Sequence, residues 1–363
     1  MSGVKCTNNL EHPPGYTQRE WARVLQREAE EKRKQRSLLL ALLGLLAATV
    51  LLAFLVYYFV LRSHDYELEV SYDRTDTVLS AGTSLSYGNL ADSYASGLCI
   101  ASGDTNIGAL SLSAYSAALF NLNEEQTVYA KDIFTSRSPA SITKIMTALV
   151  TLRYGNLDDL VTVTETAKDI EYGSSVCDIK VGDVLSLRQL LYGMMVASGN
   201  DAAMMIAEHV GGSVSNFVAM MNSEAAKIGA TNSHFTNPHG LTDSDHYMSA
   251  YDIYLIFQEA MSYDVFLDII SRKNYYAEYT RGDGTAAAVT WESTNHYFTN
   301  DAEPPEDVIV YGGKTGTTDD AGACLSLLAK DRYGNPYLAV ILHSDSKDTL
   351  YPEMNQLLSL IEK

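Results

Sequence analysis

The chain is poor in cysteine and in basic residues. Its 363 residues include four cysteines, with no C-x-x-C pair among them: Cys6, Cys99, Cys177 and Cys324. This usage excludes a disulfide framework and argues against a structural zinc cluster. Lysine and arginine number 26 against 45 aspartates and glutamates, which gives a net charge of −19. That balance argues against a nucleic-acid binder, because such proteins need a basic face.

One long apolar run stands out, from Ser37 to Leu61, with no charged residue in 25 positions. A helix needs about 20 residues to cross a hydrocarbon core of about 30 Å. A cleaved signal peptide has a shorter apolar region and a small-residue cleavage site, and a buried core helix is usually shorter and amphipathic. The run therefore predicts an uncleaved transmembrane anchor over residues 37–61.

The charge changes sign across this run. Residues 1–36 carry a net charge of +3, and residues 62–363 carry −22. Because basic flanks stay inside, we expect a cytoplasmic tail followed by a single-pass anchor in the cytoplasmic membrane. Residues 62–105, rich in Ser, Asp, Tyr and Gly, then predict an extracytoplasmic linker. Residues 106–363 predict a globular domain outside the membrane.

The globular region alternates strand-like and helix-like patterns. A strand is predicted over residues 113–122, a second follows a polar turn, and three more lie near the C-terminus. Apolar residues at helical spacing predict helices over residues 140–155, 185–196, 201–212, 216–228, 250–261 and 351–363. A strand, then helices, then consecutive strands predicts an α+β fold with an antiparallel sheet.

A first motif that carries chemistry is Ser141-Ile142-Thr143-Lys144. Residues three apart lie on one face of a helix. Ser141 near a helix start would favour developing negative charge. Lys144 could take the serine proton if burial or a second cation lowers its pKa. An exposed serine and lysine on a helix is the alternative, and the chain holds another S-x-x-K from Ser344 to Lys347.

The second motif is Ser198-Gly199-Asn200, between two apolar helices. Polar side chains in such surroundings are costly unless they are used. A serine hydroxyl can relay a proton, and an asparagine amide offers both a donor and an acceptor. Helix capping by Ser198 or Asn200 is the alternative explanation.

The third motif is Lys314-Thr315-Gly316-Thr317, after a strand-like stretch. On an edge strand, alternate side chains point the same way. Lys314 would supply charge, a threonine hydroxyl would bind an anionic group, and Gly316 would let a substrate backbone come close. A polar turn between two strands is the alternative.

The order S-x-x-K, S-x-N, K-T-G resembles the serine penicillin-recognising enzymes. The surrounding text SPASITKIMTALV, VASGNDAA, NPHGL and GGKTGTTDDAGACL is similar to that of the D-alanyl-D-alanine carboxypeptidases, the low-molecular-mass penicillin-binding proteins. The resemblance covers residues 106–363. It implies an antiparallel sheet flanked by helices on both faces, an all-helical subdomain, and a site between them.

The resemblance also implies roles. Ser141 would attack the carbonyl between two D-alanines of a peptidoglycan stem peptide, and β-lactam antibiotics would inhibit covalently. The catalytic residues would be Ser141 as nucleophile, Lys144 as general base and Ser198 as proton relay. The substrate-binding residues would be Asn200, Lys314, Thr315, Gly316 and Thr317. The backbone N–H groups of Ser141 and Thr317 would form the oxyanion hole. No metal or organic cofactor is needed.

Three alternatives remain open. A class A β-lactamase would carry S-D-N and a later E-x-x-x-N, whereas this chain has Gly199, and Glu292 to Asn295 is one residue too short. A penicillin-binding sensor ectodomain usually needs a sizeable cytoplasmic partner domain, and residues 1–36 are short for that. A zinc peptidase would use His234, His239 and His246 with Asp243 or Asp245, although this spacing matches no standard zinc pattern.

Overall fold

The computed structural model describes residues 97–361, together with Arg33 and Thr49. The chain divides into two units, Met1–Gly88 and Asn89–Lys363. The predicted tail and anchor, apart from those two single residues, lie outside the described residues, as does most of the predicted linker. Within the described part, no helix is long and apolar enough to cross a membrane.

The domain combines strands and helices in the order typical of an α+β protein. The strands are β1 (Ser116–Asn121), β2 (Gln126–Lys131), β3 (Leu160–Thr162), β4 (Val184–Ser186), β5 (Asn274–Thr280), β6 (Ala286–Glu292), β7 (Ile309–Thr318), β8 (Gly322–Lys330) and β9 (Pro336–Ser344). The α-helices are α1 (Lys144–Tyr154), α2 (Leu187–Val196), α3 (Asn200–Gly211), α4 (Val214–Ile228), α5 (Ala250–Ala260), α6 (Asp264–Ile270), α7 (His296–Thr299) and α8 (Lys347–Leu358). Short 3-10 helices occupy Ile107–Ala109, Ala140–Thr143 and Glu165–Lys168.

The main sheet has five antiparallel strands in the order β2-β1-β9-β8-β7. Alternate residues of β1 enter different cores. Phe120 packs into the core that holds α1 and α5, and Leu119 packs into the core that holds α8. Because helices cover both faces, the three inner strands β1, β9 and β8 are buried along almost their whole length. The predicted α+β fold with an antiparallel sheet between helices is confirmed.

A second, smaller sheet has the order β3-β4-β5-β6. It packs beside α2, and α2, α3 and α4 pack in turn on one another. The ring of Trp291 on β6 stacks on Tyr275 of β5, with 6.1 Å between centroids. The helical part implied by the resemblance is therefore present, and it carries a small sheet that the sequence did not predict.

The described end of the predicted linker lies against the domain. The Cys99 N–H donates to the hydroxyl of Tyr254 at 2.7 Å. Ile100 forms a bridge with Gln126 of β2, and Thr105 forms another β-bridge to the same strand. The packed part of the chain therefore begins before residue 106, the predicted domain boundary.

Candidate active site

Ser141 lies in a tight turn at the start of α1. The 3-10 helix Ala140–Thr143 runs directly into α1, so Ser141 stands at the helix N-terminus. Lys144 follows one turn later and is fully buried. The Lys144 Nζ lies 2.8 Å from Ser141 Oγ. The predicted serine–lysine pair is therefore in hydrogen-bond contact, and the alternative of two exposed side chains does not hold.

The Lys144 amine is held from three sides. It donates to Asn200 Oδ1 at 2.6 Å and to the backbone oxygen of His239 at 2.8 Å, besides its contact with Ser141. Burial lowers the pKa of Lys144 well below its usual range, and the nearby positive charge of Lys314 lowers it further. A neutral amine has a lone pair that can accept the Ser141 proton, as a general base requires.

The second motif forms the loop between α2 and α3. Ser198 has a positive φ of 59°, and Gly199 is the residue before α3. In this described loop neither polar side chain caps the helix. Ser198 Oγ instead accepts from Lys314 Nζ at 3.0 Å, and Asn200 faces Lys144. The capping explanation is therefore wrong, and both side chains point to the lysines.

A buried thiol explains why the middle residue of this motif is glycine. A Cβ on Gly199 would lie 2.2 Å from Cys177 Sγ. The backbone N–H of Cys177 donates to Asp201 Oδ1 at 2.8 Å, which ties the Cys177 segment to the start of α3. Burial raises the pKa of the Cys177 thiol well above its usual range. Cys177 is therefore a neutral packing group under the loop.

The third motif lies on β7, an edge strand of the main sheet rather than a polar turn. Lys314 is buried, and burial lowers its pKa to about 7. Its Nζ donates to Ser198 and to the backbone oxygen of Thr315 at 2.9 Å. A Cβ on Gly316 would lie 2.9 Å from the Ser141 nitrogen. The strand therefore runs close beside the Ser141 turn.

The three motifs border one cavity of about 250 Å³. Predicted residues that line it are Ser141, Ser198, Thr315, Gly316 and Thr317. The remaining predicted residues, Lys144, Asn200 and Lys314, are buried and hydrogen-bonded to lining residues or to one another. The structure thus brings all the predicted site residues together.

Several residues that line the cavity were not predicted from the sequence as site residues: Ser175, Thr294, His296, Cys324, Lys347, Leu350 and Tyr351. Thr294 Oγ1 lies 2.5 Å from Thr315 Oγ1. The ring of His296 stacks on Tyr351 at 4.5 Å. Lys347 is the first residue of α8, four residues before the predicted helix start. The capping box between Ser346 and Thr349 was the signal that could have placed it.

The histidines proposed for zinc have separate partners. His246 Nε2 lies 2.8 Å from Thr143 Oγ1, and His239 Nδ1 accepts from the Leu241 N–H at 3.1 Å. His234 Nδ1 lies 2.6 Å from the backbone oxygen of Asp245. Among residues 97–361, with Arg33 and Thr49, no three His, Cys, Asp or Glu side chains are grouped to hold a metal. The geometry therefore does not support the zinc alternative.

Comparison with known proteins gives one family. A family model described as D-alanyl-D-alanine carboxypeptidase matches residues 104–346. The Streptomyces strain K15 D-alanyl-D-alanine carboxypeptidase is 30% identical over 74% of this chain and 91% of its own length. The DacF carboxypeptidase of Bacillus subtilis is 33% identical over 60% of this chain. The chain spans about half of that relative, 54% of its length.

Solved structures agree with this assignment. The crystal structure of the Streptomyces K15 DD-transpeptidase has a TM-score of 0.64 and 29% identity, over 69% of this chain and 97% of that one. The DacD carboxypeptidase from Francisella tularensis has a TM-score of 0.60 and 26% identity, over 69% and 70%. The family match spans more than half of the chain and includes all three motifs. This protein therefore belongs to the D-alanyl-D-alanine carboxypeptidase family of serine peptidases, peptidase family S11.

Proposed function

We propose that the chain is a serine-type D-alanyl-D-alanine carboxypeptidase. It removes the terminal D-alanine from peptidoglycan stem peptides through an acyl-enzyme on Ser141. The observation that carries the proposal is the contact between Ser141 Oγ and the buried Lys144 amine, at 2.8 Å. Family membership supplies the substrate class.

Acylation begins when neutral Lys144 takes the Ser141 proton and Oγ attacks the carbonyl between the two D-alanines. The developing oxyanion is stabilised by the N–H groups of Ser141 and Thr317, on the facing turn and strand. One such donor contributes about 2.7–4 kcal/mol in comparable acyl transfers. The close approach of Gly316 to the Ser141 nitrogen supports this pairing of turn and strand.

The leaving amine needs a proton, and Ser198 delivers it. The proton that Lys144 took from Ser141 passes through the Ser198 hydroxyl to the leaving amine, which returns Lys144 to its neutral form. Lys314 Nζ donates to Ser198 Oγ at 3.0 Å and so orients that hydroxyl. Asn200 keeps Lys144 oriented and offers its amide N–H groups to the substrate. Water then releases the acyl group.

We place the terminal carboxylate of the substrate at the β7 side of the cavity. Thr315 and Thr317 offer hydroxyl donors there, and Lys347 adds a positive charge at the same lining. The hydroxyl of Thr294, against Thr315, fixes the orientation of that threonine. The free carboxylate next to the scissile bond thus distinguishes the C-terminal peptide bond from internal peptide bonds.

The alternatives predict other products. A class A β-lactamase needs a glutamate that activates the deacylating water, but Glu292 is exposed at the end of β6 and is not among the residues that line the cavity. The structural relative described as a DD-transpeptidase makes transfer to an amine acceptor the second candidate. A penicillin-binding sensor would bind β-lactams without releasing D-alanine.

The test is product analysis with the purified full-length chain and a stem pentapeptide. We expect free D-alanine and tetrapeptide, and covalent labelling of Ser141 by a penicillin. Ser141→Ala should abolish both. Ser136→Ala, a nearby hydroxyl that donates to the backbone oxygen of Asn232, is the matched control and should retain both. Equal penicillin labelling of Ser141→Ala would refute the proposal.

We also propose that residues 37–61 anchor the enzyme in the cytoplasmic membrane, with the catalytic domain outside. The uncharged run of 25 residues and the basic flank before it support this orientation. Deleting residues 37–61 should move the protein from the membrane to the soluble fraction. Protease added outside intact spheroplasts should digest the domain, and protection of the domain would contradict the orientation.

A further inference from the structure

The backbone just before Ser141 has a conformation that residues other than glycine rarely adopt. Ala140 has a φ of 47° and is fully buried. Such left-handed residues persist only when their surroundings hold them, and they are concentrated at functional sites. The conformation of Ala140 decides where the N–H and the hydroxyl of Ser141 point. The groups that hold Ala140 are therefore part of the architecture of the nucleophile.

Two groups enclose the Ala140 carbonyl. The Thr143 hydroxyl donates to it at 2.8 Å. Gly240 packs on it so closely that a Cβ at this position would lie 1.9 Å from the carbonyl oxygen. Thr143 is itself fully buried, and its hydroxyl oxygen lies 2.8 Å from His246 Nε2. His246 therefore contacts the Thr143 hydroxyl, which in turn binds the Ala140 carbonyl.

The direction of the hydrogen bonds follows from the backbone. The Thr236 N–H donates to His246 Nδ1 at 3.1 Å, and a backbone N–H can only donate. Nδ1 therefore carries no proton, and the ring proton lies on Nε2. Nε2 donates to Thr143 Oγ1, which leaves the Thr143 hydroxyl proton free for Ala140. Burial also lowers the pKa of His246 to about 4, so the ring stays neutral near neutral pH.

We propose that His246 is a positioning residue for acylation, acting through Thr143 to fix the Ala140 turn that presents Ser141. The proposal rests on the proposed function, in which Ser141 is the nucleophile. Lys144 has independent anchors at Asn200 and at the backbone of His239. Loss of the His246 donor should therefore misplace the Ser141 oxyanion donor and hydroxyl while the base remains in place.

The first test compares His246→Leu with His246→Gln in the full-length chain. The glutamine amide can place a donor near the position of Nε2, whereas leucine cannot. Because a misplacement of about 1 Å can cost about 100-fold in rate, we expect His246→Leu to slow acylation by saturating penicillin about 10- to 100-fold. His246→Gln should restore the rate to within about threefold of the parent chain. Equal rates for His246→Leu and the parent would overturn the proposal.

The second test is a double-mutant cycle with Thr143→Val, which removes the hydroxyl. If the two residues act in series, adding His246→Leu to Thr143→Val should not slow acylation further. Multiplying effects would show that His246 acts by another route and would overturn the proposal. His234→Leu, at a half-exposed histidine that contacts Asp245, is the matched control and should acylate at the parent rate.

A variant that fails to fold must be distinguished from one that folds but acylates slowly. Thermal unfolding of every variant shows whether the protein is folded at the assay temperature. If His246→Leu does not fold, His246→Asn is compared with His246→Gln instead. The shorter asparagine amide does not reach Thr143. Equal acylation rates in that pair would overturn the proposal. Penicillin labelling of the parent at a residue other than Ser141 would refute the proposed function itself, which is a separate outcome.

Discussion

Replacing Gly199 by alanine tests how the loop of the second motif is held in place. Gly199 has φ −63° and ψ 117°, values that any residue can adopt. Alanine therefore adds no backbone strain, and the cost is steric. Its Cβ would lie 2.2 Å from Cys177 Sγ and 3.0 Å from Asp201 Oδ1. Real Cβ atoms do not come so close to sulfur, so either the thiol or the loop must move.

The backbone that carries the thiol has little freedom to move. The N–H of Cys177 donates to Asp201 at 2.8 Å, and its carbonyl accepts from Trp291 Nε1 at 3.2 Å. We expect the loop to shift instead and to draw Ser198 away from Lys314. Overpacking a well-packed interior costs about 1–3 kcal/mol, which is the expected loss in the free energy of unfolding. Penicillin acylation should fall as well, because the Ser198–Lys314 contact is lost.

Urea unfolding and acylation kinetics measure both effects. Cys177→Ala removes the sulfur, so the double variant Gly199→Ala with Cys177→Ala should recover most of the stability and rate lost by Gly199→Ala. The coupling between the two sites should be about 1–3 kcal/mol in the free energy of unfolding. Additive losses would refute the reasoning, because the sulfur contact would then not be the cause.

Three further predictions concern the cavity. Burial lowers the pKa of Lys314 to about 7, so above that pH the unfolded chain binds this proton more tightly than the folded chain does, and the free energy of unfolding rises with pH. Lys314→Met should reduce this rise, measured by urea unfolding between about pH 7 and 8. An unchanged pH dependence would contradict the burial argument. Lys347→Met should raise KM for the pentapeptide about tenfold, since a charge-assisted contact to the carboxylate is lost, and an unchanged KM would remove Lys347 from the substrate site. Gly316→Ala should slow acylation more than about tenfold, because the added Cβ would lie 2.9 Å from the Ser141 nitrogen and displace it. An acylation rate equal to that of the parent chain would show that the Ser141 turn and β7 can move apart without loss.

The site was predictable from the sequence because three short motifs each place chemistry within a few residues. Ser141 and Lys144 are one helical turn apart, so their contact follows from local geometry. The contact of Lys314 with Ser198 joins residues 116 positions apart. No pattern in either motif alone specifies it, and the resemblance to a known family supplied that long-range information.

The small sheet and part of the cavity were not predictable in the same way. β3 and β4 are only three residues each, and exposed and less exposed residues alternate along β5, so none forms a long apolar run. The sheet is stable because Trp291 and Tyr275 pack at α2, a contact that depends on the whole fold. Lys347 belongs to an S-x-x-K that arises by chance, and it reaches the cavity because α8 begins there.

The left-handed turn at Ala140 also has no sequence signal. Alanine favours helices, and nothing in its neighbours indicates a positive φ. The conformation depends on Thr143 and on the distant Gly240, which meet the Ala140 carbonyl in the folded chain. Local propensity is overridden here by tertiary contacts at a functional residue, where such conflicts are expected.

The central claim is that Ser141 is acylated because a buried, neutral Lys144 removes its proton. Intact-mass measurement and peptide mapping of the full-length chain after exposure to a penicillin at neutral pH test it most directly, with Lys144→Met as the variant. The account predicts one covalent adduct on Ser141 in the parent chain and no adduct in folded Lys144→Met over the same time. An adduct on another residue, or equal labelling of Lys144→Met, would contradict it.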